Sequence, residues 1–545
     1  MGPLGAMPTV TPVGDVETTP EIDDERREPR LLASDFYGFL KPSRCGLRVW
    51  LKEQGVEPDP PGVFSEMLMR LGIEHERRHL ERFPNAVDIG ELPRDVQREA
   101  TRKLVAEGER VIYQGRMHAT ATVGGREIEV VGLPDFMLPA RSGYAIRDSK
   151  LNRRVGPSQE HVRLQLETYG WLYEQTFGEP PVALQVHGGS GEIITLDYGG
   201  GEDALATFER MLHYRLLEEE PADEHVGVSK CSDCGYRSRC WPRAEKRQDV
   251  GLLPFADRGL VDALHDEGTS TLPEFVERYD AEKLAEFERP SWGGQTRPVG
   301  DRAERLLINA RALLDDRPIL IKPPEIPDHA TYVMFDLEGM PPTVDETEKI
   351  YIWGLQPFGS RPGPFRAGVA GFGKRGDRHG WEDFLAKADE LLTDLGPDTP
   401  FVHWATYEKV KINLYLDRYG DRQGVAQKVL DNLLDLLPIT RESVAVPLTG
   451  YGLKQVETLT GYERKLEESG GEWSMAQYIE ATETDDEAER DRIMDQILAY
   501  NREDLEATWA VMEWLRDLNR HDRSRKSISA VRGRGLRKVA PRRRH

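Results

Sequence analysis

Apolar residues in the first half of the chain come in short bursts. Two of them, 130–138 (VVGLPDFML) and 144–150 (YAIRDSK), are separated by Pro139 and Gly143. Runs of this kind, bounded by Pro and Gly, predict two strands joined by a turn. Residues two apart in a strand share a face, so Asp148 and Lys150 point the same way and Asp135 on the neighbouring strand can meet them. Helical spacing at 158–178 puts Gln165 and Tyr169, four apart, on one face. Further helices are predicted at 63–83, 94–109 and 202–219, and strands at 111–121, 182–187 and 192–197. Met67, Leu68 and Leu71 on the first of these helices read as core.

A second apolar strand, 331–339, ends in Asp336-Leu337-Glu338, whose two carboxylates share one strand face and can reach the same pair of metal ions. Strands at 350–355 and 401–404 follow, then Tyr407-Glu408 at the start of a helix and a short helix at 453–459. A helix at 497–515 carries Tyr500-Asn501-Arg502-Glu503-Asp504, with Tyr500 and Asp504 on one face. Between the halves, GLVDALHDEGTSTLPEFVERY reads as helix, Gly-containing turn, helix.

At 545 residues the chain is too long for one core, so two or three domains are expected. The boundaries drawn are a disordered 1–30, an α/β domain at 31–245, a helical connector at 246–327, a second α/β domain at 328–520 and a basic disordered tail at 521–545. The net charge is −22, and no apolar run is long enough to cross a membrane. The first thirty residues carry no signal-peptide pattern, so a cytoplasmic location is expected. An acidic total argues mildly against a protein that coats nucleic acid but not against a nuclease, whose metal-binding carboxylates add negative charge.

The chain has four cysteines, Cys45, Cys231, Cys234 and Cys240, the last three as C-x2-C-x5-C. In a reducing compartment this pattern favours a metal or cluster over disulfides, and zinc is the first reading of C-x-x-C alone.

The ordered set GLPD, D-x-K and Q-x-x-x-Y resembles the RecB-type branch of the PD-(D/E)XK nucleases. Gly72-Ile73-Glu74-His75 resembles the helical motif of that branch. The resemblance implies that His75, Asp135 and Asp148 bind a divalent metal, that Lys150 is catalytic, and that Gln165 and Tyr169 support them. Glu76 is the neighbouring alternative to His75. One distant cysteine before this core and three after it resemble the iron–sulfur nucleases, which implies a 4Fe–4S cluster, with zinc as the alternative, stapling the two ends of the domain. The second half resembles the DnaQ-like, RNase H-fold exonucleases of the tyrosine-containing DEDD type. That implies Mg²⁺ or Mn²⁺ held by Asp336, Glu338 and Asp504, with Tyr500 orienting water. The usual second aspartate is absent; Glu408 is the nearest candidate and Asp435 a substitute. The domain order resembles a bacterial family of RecB-like nucleases.

These resemblances imply a metal-dependent deoxyribonuclease with two modules, acting on single-stranded or end-exposed DNA, or on RNA, in repair or recombination. The alternatives are one active module beside a binding platform, or a non-catalytic scaffold. No G-x-x-x-x-G-K-[ST] occurs, so a helicase would be a separate partner. The helix–turn–helix of the connector resembles a degenerate helix-hairpin-helix that could grip phosphates through turn amides; a plain helical spacer is the favoured alternative.

Overall fold

In a computed structural model of the protein, residues 30–534 are described except 42–43, 153–158, 222–223, 233, 292–294, 341–347, 372 and 467–469, with backbone alone beyond 518. The stretch 1–29, expected to be disordered, and 535–545 of the basic tail lie outside the described residues. The part of the tail that is described, 521–534, ends a long helix, Glu487–Arg534, rather than a coil. No Pro or Gly interrupts that helix before Gly533.

The first α/β unit is built around the strand Gly143–Lys150. It pairs antiparallel with Phe136–Ala140 and parallel with Ala183–Gly188, inside a six-stranded sheet. A parallel pair needs a crossover, and the helix Glu160–Phe177 provides it. A three-stranded sheet, made of Arg30–Leu32, Arg126–Gly132 and Met117–Val123, closes over the other side of this helix. The helix is therefore buried nearly all round, from Val162 to Tyr173. Gly132 is where helix and strand touch: a Cβ there would meet Leu172 at 2.6 Å and Tyr169 at 2.7 Å.

The continuous strand expected at 130–138 is two strands. Pro134 offers no N–H to a ladder, so the chain leaves one sheet at Gly132 and enters the other at Phe136. Asp135 sits in that break. The two ends of the unit meet where the helix Gly46–Glu53 lies near Arg237–Arg247. Tyr236 OH donates to Val56 O at 3.0 Å, Asp59 N donates to Gly235 O at 2.5 Å, and Asp59 accepts from Ser238.

The connector has its own core of Val250, Leu260, Leu264, Leu272, Phe275, Leu306 and Ala310. Its helices Arg258–Asp266 and Leu272–Arg278 flank the turn at Gly268. The turn amides that a phosphate would need are occupied. Ser270 N and Thr271 N both donate to Glu274 Oε2, at 3.0 and 2.9 Å, closing a capping box. The geometry is that of a spacer.

In the second α/β unit, five strands lie in one sheet in the order third, second, first, fourth, fifth along the chain. They are Arg366–Val369, Lys349–Gly359, Thr331–Met340, Phe401–His403 and Leu433–Asp435. The first three run antiparallel, and the last two pair parallel to the first strand's direction. Trp353, Trp381, Phe384 and Tyr415 fill one side of the sheet; the helix Glu487–Arg534 covers the other.

The helix Val63–Leu80 belongs to both halves. Its later residues pack on the first sheet, while Phe64, Met67, Leu68 and Leu71 enter a cluster with Met340, Tyr351, Ile352, Tyr478 and Ile479 of the second unit. Arg70 pairs with Glu483 at 2.8 Å beside it. These positions are core, as their pattern suggests, but the core is that of the other domain. Met67→Ala is expected to destabilise the protein by about 2 kcal/mol or more, read as a lower denaturation midpoint, with helix content unchanged.

Candidate active sites

In the first unit, strand alternation brings Asp148 and Lys150 together, with Lys150 Nζ 2.5 Å from Asp148 Oδ2. Lys150 also donates to Gln165 Oε1 at 3.1 Å, and Gln165 Nε2 donates to Tyr169 OH at 2.9 Å. One chain of hydrogen bonds thus ties the strand to the crossover helix. Asp135 Oδ2 accepts from the backbone of Ser149 at 2.6 Å, which holds it beside Asp148. Burial first, then the charges of Asp148 and Glu76, push the Asp135 carboxyl well above its usual range. Burial alone would lower Lys150, but Asp148 and Asp135 outweigh it and the net shift is upward. Lys150 is a cation here.

His75 is not brought into this group. Its ring stacks on His187 at 4.4 Å, with Nε2 3.4 Å from His187 O, and His187 stacks in turn on His79 at 3.7 Å. Burial lowers these last two imidazoles, His79 to about 4 and His187 to about 3. Successive helix residues are turned by about 100°, so the neighbour of His75 faces elsewhere. Glu76 accepts from Tyr113 OH at 2.6 Å, and its charge acts on Asp135, Lys150 and Tyr169. The charge of Glu76 therefore reaches the group that His75 does not join.

In the second unit, ligand atoms of Asp336, Glu338 and Asp504 lie within 4.8 Å of one another, the one group of its kind among the described residues. The first two leave the same face of Thr331–Met340, and the strand register shifts directly after Glu338. Asp504 arrives from the helix Glu487–Arg534, and the Tyr500 hydroxyl one turn earlier donates to it. Burial, then Asp504 and its fellow carboxylates, raise the Tyr500 hydroxyl far above its ordinary value, so it stays protonated. Burial, then Asp504, push Glu338 up to about 8, and burial, Asp504 and Glu338 push Asp336 well up.

Glu408 stands at the edge of this group. Its charge acts on Asp336, and its Oε2 lies 3.1 Å from His403 Nδ1. Asp435 is engaged with backbone instead. Its Oδ1 accepts from Leu437 N at 3.0 Å and Ala405 N at 2.9 Å, capping a helix and holding Ala405 at φ 76°. Three further residues shape the site. Arg464 pairs with Glu457 through two N–H groups and with Asp504 at 2.5 Å. Ser474 hydrogen-bonds Glu338, and Asn501 donates to Asp336 Oδ2 at 2.7 Å. Arg464 and Ser474 sit in stretches with no motif to single them out; Asn501 lies inside one, between the two residues that motif names.

The four cysteines line one cavity of about 60 Å³, with Arg48, Arg237, Arg243 and Arg247 in the same wall. Burial, then Glu224, pushes the Cys45 thiol up to about 12; burial and the neighbouring thiols push Cys240 up to about 11.

Residues 334–516 match the RNase_H_2 family model of the RNase_H superfamily, so the C-terminal unit is an RNase H-like domain, of a fold that generally serves nucleases. A solved structure described as "Crystal structure of SSO0001" is 19% identical, covering 33% of this chain and 96% of that one, with a TM-score of 0.19. No curated protein matches the chain. Among the described residues no helix is long and apolar enough to cross a membrane.

The raised Glu338 fixes a pH dependence. Its folded value, about 8, lies above its ordinary 4.5, so the folded state binds the extra proton between those values. Metal-free stability is therefore fullest at the acid end of the window and falls as pH rises through it. In EDTA, the melting temperature of the wild type should drop between pH 5 and 8.5, and Glu338→Gln should flatten that drop.

Proposed function

We propose that the protein is a metal-dependent nuclease whose RNase H-like domain hydrolyses phosphodiester bonds at Asp336, Glu338 and Asp504. The observation that carries this reading is their convergence within 4.8 Å, with Tyr500 bonded to Asp504, inside the segment that matches the superfamily. Acidic oxygen ligands suit Mg²⁺ or Mn²⁺. Such ions, when bound, supply charge stabilisation for the phosphoryl group and for the attacking water. Asp336, Glu338 and Asp504 would hold them, and Glu408, one methylene longer than the aspartate usual there, would complete the set from the rim. The neutral Tyr500 hydroxyl orients water, and Arg464 keeps Asp504 turned inward.

The first unit is read as a PD-(D/E)XK module of the RecB-like type. Asp135, Asp148 and Glu76, in place of His75, would hold a divalent ion, and the Lys150 ammonium would polarise the attacking water. Gln165 and Tyr169 fix the Lys150 side chain. The substrate is DNA with single-stranded character or exposed ends, in repair or recombination, with a helicase partner supplying strand separation.

The cysteine cavity is read as a 4Fe–4S site. All four cysteines line that one cavity, and a group bound there would displace their thiol protons. One distant cysteine with a C-x2-C-x5-C segment is the pattern that favours a cluster, with zinc as the alternative. The cluster would staple Cys45 to the distant C-x2-C-x5-C segment.

Two measurements test this. Anaerobically purified protein is incubated with labelled single-stranded DNA and RNA in Mn²⁺ or Mg²⁺, beside Asp336→Ala and Asp148→Ala. Asp336→Ala should lower cleavage at least about 100-fold; products that survive it but vanish in Asp148→Ala would move the activity to the first site, and no metal-dependent products at all would leave a binding scaffold. For the cysteines, iron and acid-labile sulfide should co-purify with the wild type and be lost in Cys234→Ser. Zinc without iron would overturn the cluster.

A further inference from the structure

We infer that Asn501 is a positioning residue that sets the metal affinity of the RNase H-like site by joining Asp336 and Glu338 through one side-chain amide. The inference rests on the metal-site reading above. Asn501 is fully buried on the helix Glu487–Arg534, between Tyr500 and Asp504. Its Nδ2 donates to Asp336 Oδ2 at 2.7 Å, and its side chain also hydrogen-bonds Glu338. The two carboxylates leave the strand two residues apart on one face, where their charges repel. An amide NH₂ has two N–H groups and no charge. It can hold one oxygen of each carboxylate and leave the others free for metal. A lysine or arginine there would compete with the ion, and an aspartate would add to the repulsion.

The opposite strand has been cleared for this group. Gly354 faces Asp336 across the antiparallel ladder, and a Cβ at Gly354 would overlap Asn501 Oδ1. That oxygen is buried and has no hydrogen-bond partner among the described residues. The amide is therefore held by its N–H side, the side that meets the carboxylates. The opposite orientation would set an oxygen against carboxylate oxygens. Residues joined to metal ligands in this way tune affinity by about 10- to 100-fold.

The test is Mn²⁺ binding to the full-length protein, followed by electron paramagnetic resonance, for the wild type, Asn501→Leu, Asn501→Ser and Gly354→Ala. Circular dichroism in EDTA checks that each variant is folded. Asn501→Leu should weaken Mn²⁺ binding about 10- to 100-fold, and Asn501→Ser, which keeps one donor, should lie between it and the wild type. Gly354→Ala alters no polar group yet should weaken binding in the same direction by displacing the amide. In cleavage assays the half-saturating Mn²⁺ concentration should rise more than kcat falls. Folded variants with wild-type Mn²⁺ affinity would overturn the inference and leave the nuclease reading intact; if Asn501→Leu does not fold, Asn501→Ser and Gly354→Ala decide it. A wild type that binds no Mn²⁺ would overturn both.

Discussion

Three carboxylates within 4.8 Å of one another, two buried and one half-buried, cannot all be ionised without help. Even at an effective dielectric of about 20, two unit charges 4 Å apart interact by about 4 kcal/mol. The RNase H-like domain is organised around that repulsion. The strand supplies two of the acids by alternation, the long helix supplies the third, and the neighbours that touch them are nearly all donors: Tyr500, Asn501, Arg464 and Ser474. What the donors do not balance is left to protons in the metal-free protein and to metal in the loaded one.

The first unit meets the same constraint with Lys150 as its cation, where the second has Arg464, and the Lys150–Asp148 contact is held from the far side by Gln165 and Tyr169. One helix, Val63–Leu80, carries Glu76 to this site, with His75 and His79 stacked on His187 of the sheet alongside.

Much of this was legible in the sequence because strand alternation and helical spacing are local. Asp336 with Glu338, Asp148 with Lys150, Gln165 with Tyr169 and Tyr500 with Asp504 could each be paired from periodicity, and the structure brings each pair together. The choice between His75 and Glu76 was not legible, since adjacent helix positions differ only in rotation and the rotation is set by packing against the sheet. Asp435 stands in the sequence as a substitute for Glu408, and only the structure shows it committed to capping a helix. Arg464 comes from a loop, where no period marks it. Pro134 was visible all along, but its consequence, a chain that changes sheets at Asp135, depends on the second sheet being there to receive it. Asn501 could have been found by noticing a glycine in the middle of an apolar strand opposite an acid.

The shared helix has a consequence for both units. Phe64, Met67 and Leu71 lie early in the chain yet finish a core whose other walls are encoded some 270 to 430 residues later. A gene cut anywhere between them would yield two products, each with an apolar wound. A substitution on that helix is therefore felt in both α/β units, however far from either acidic group it lies.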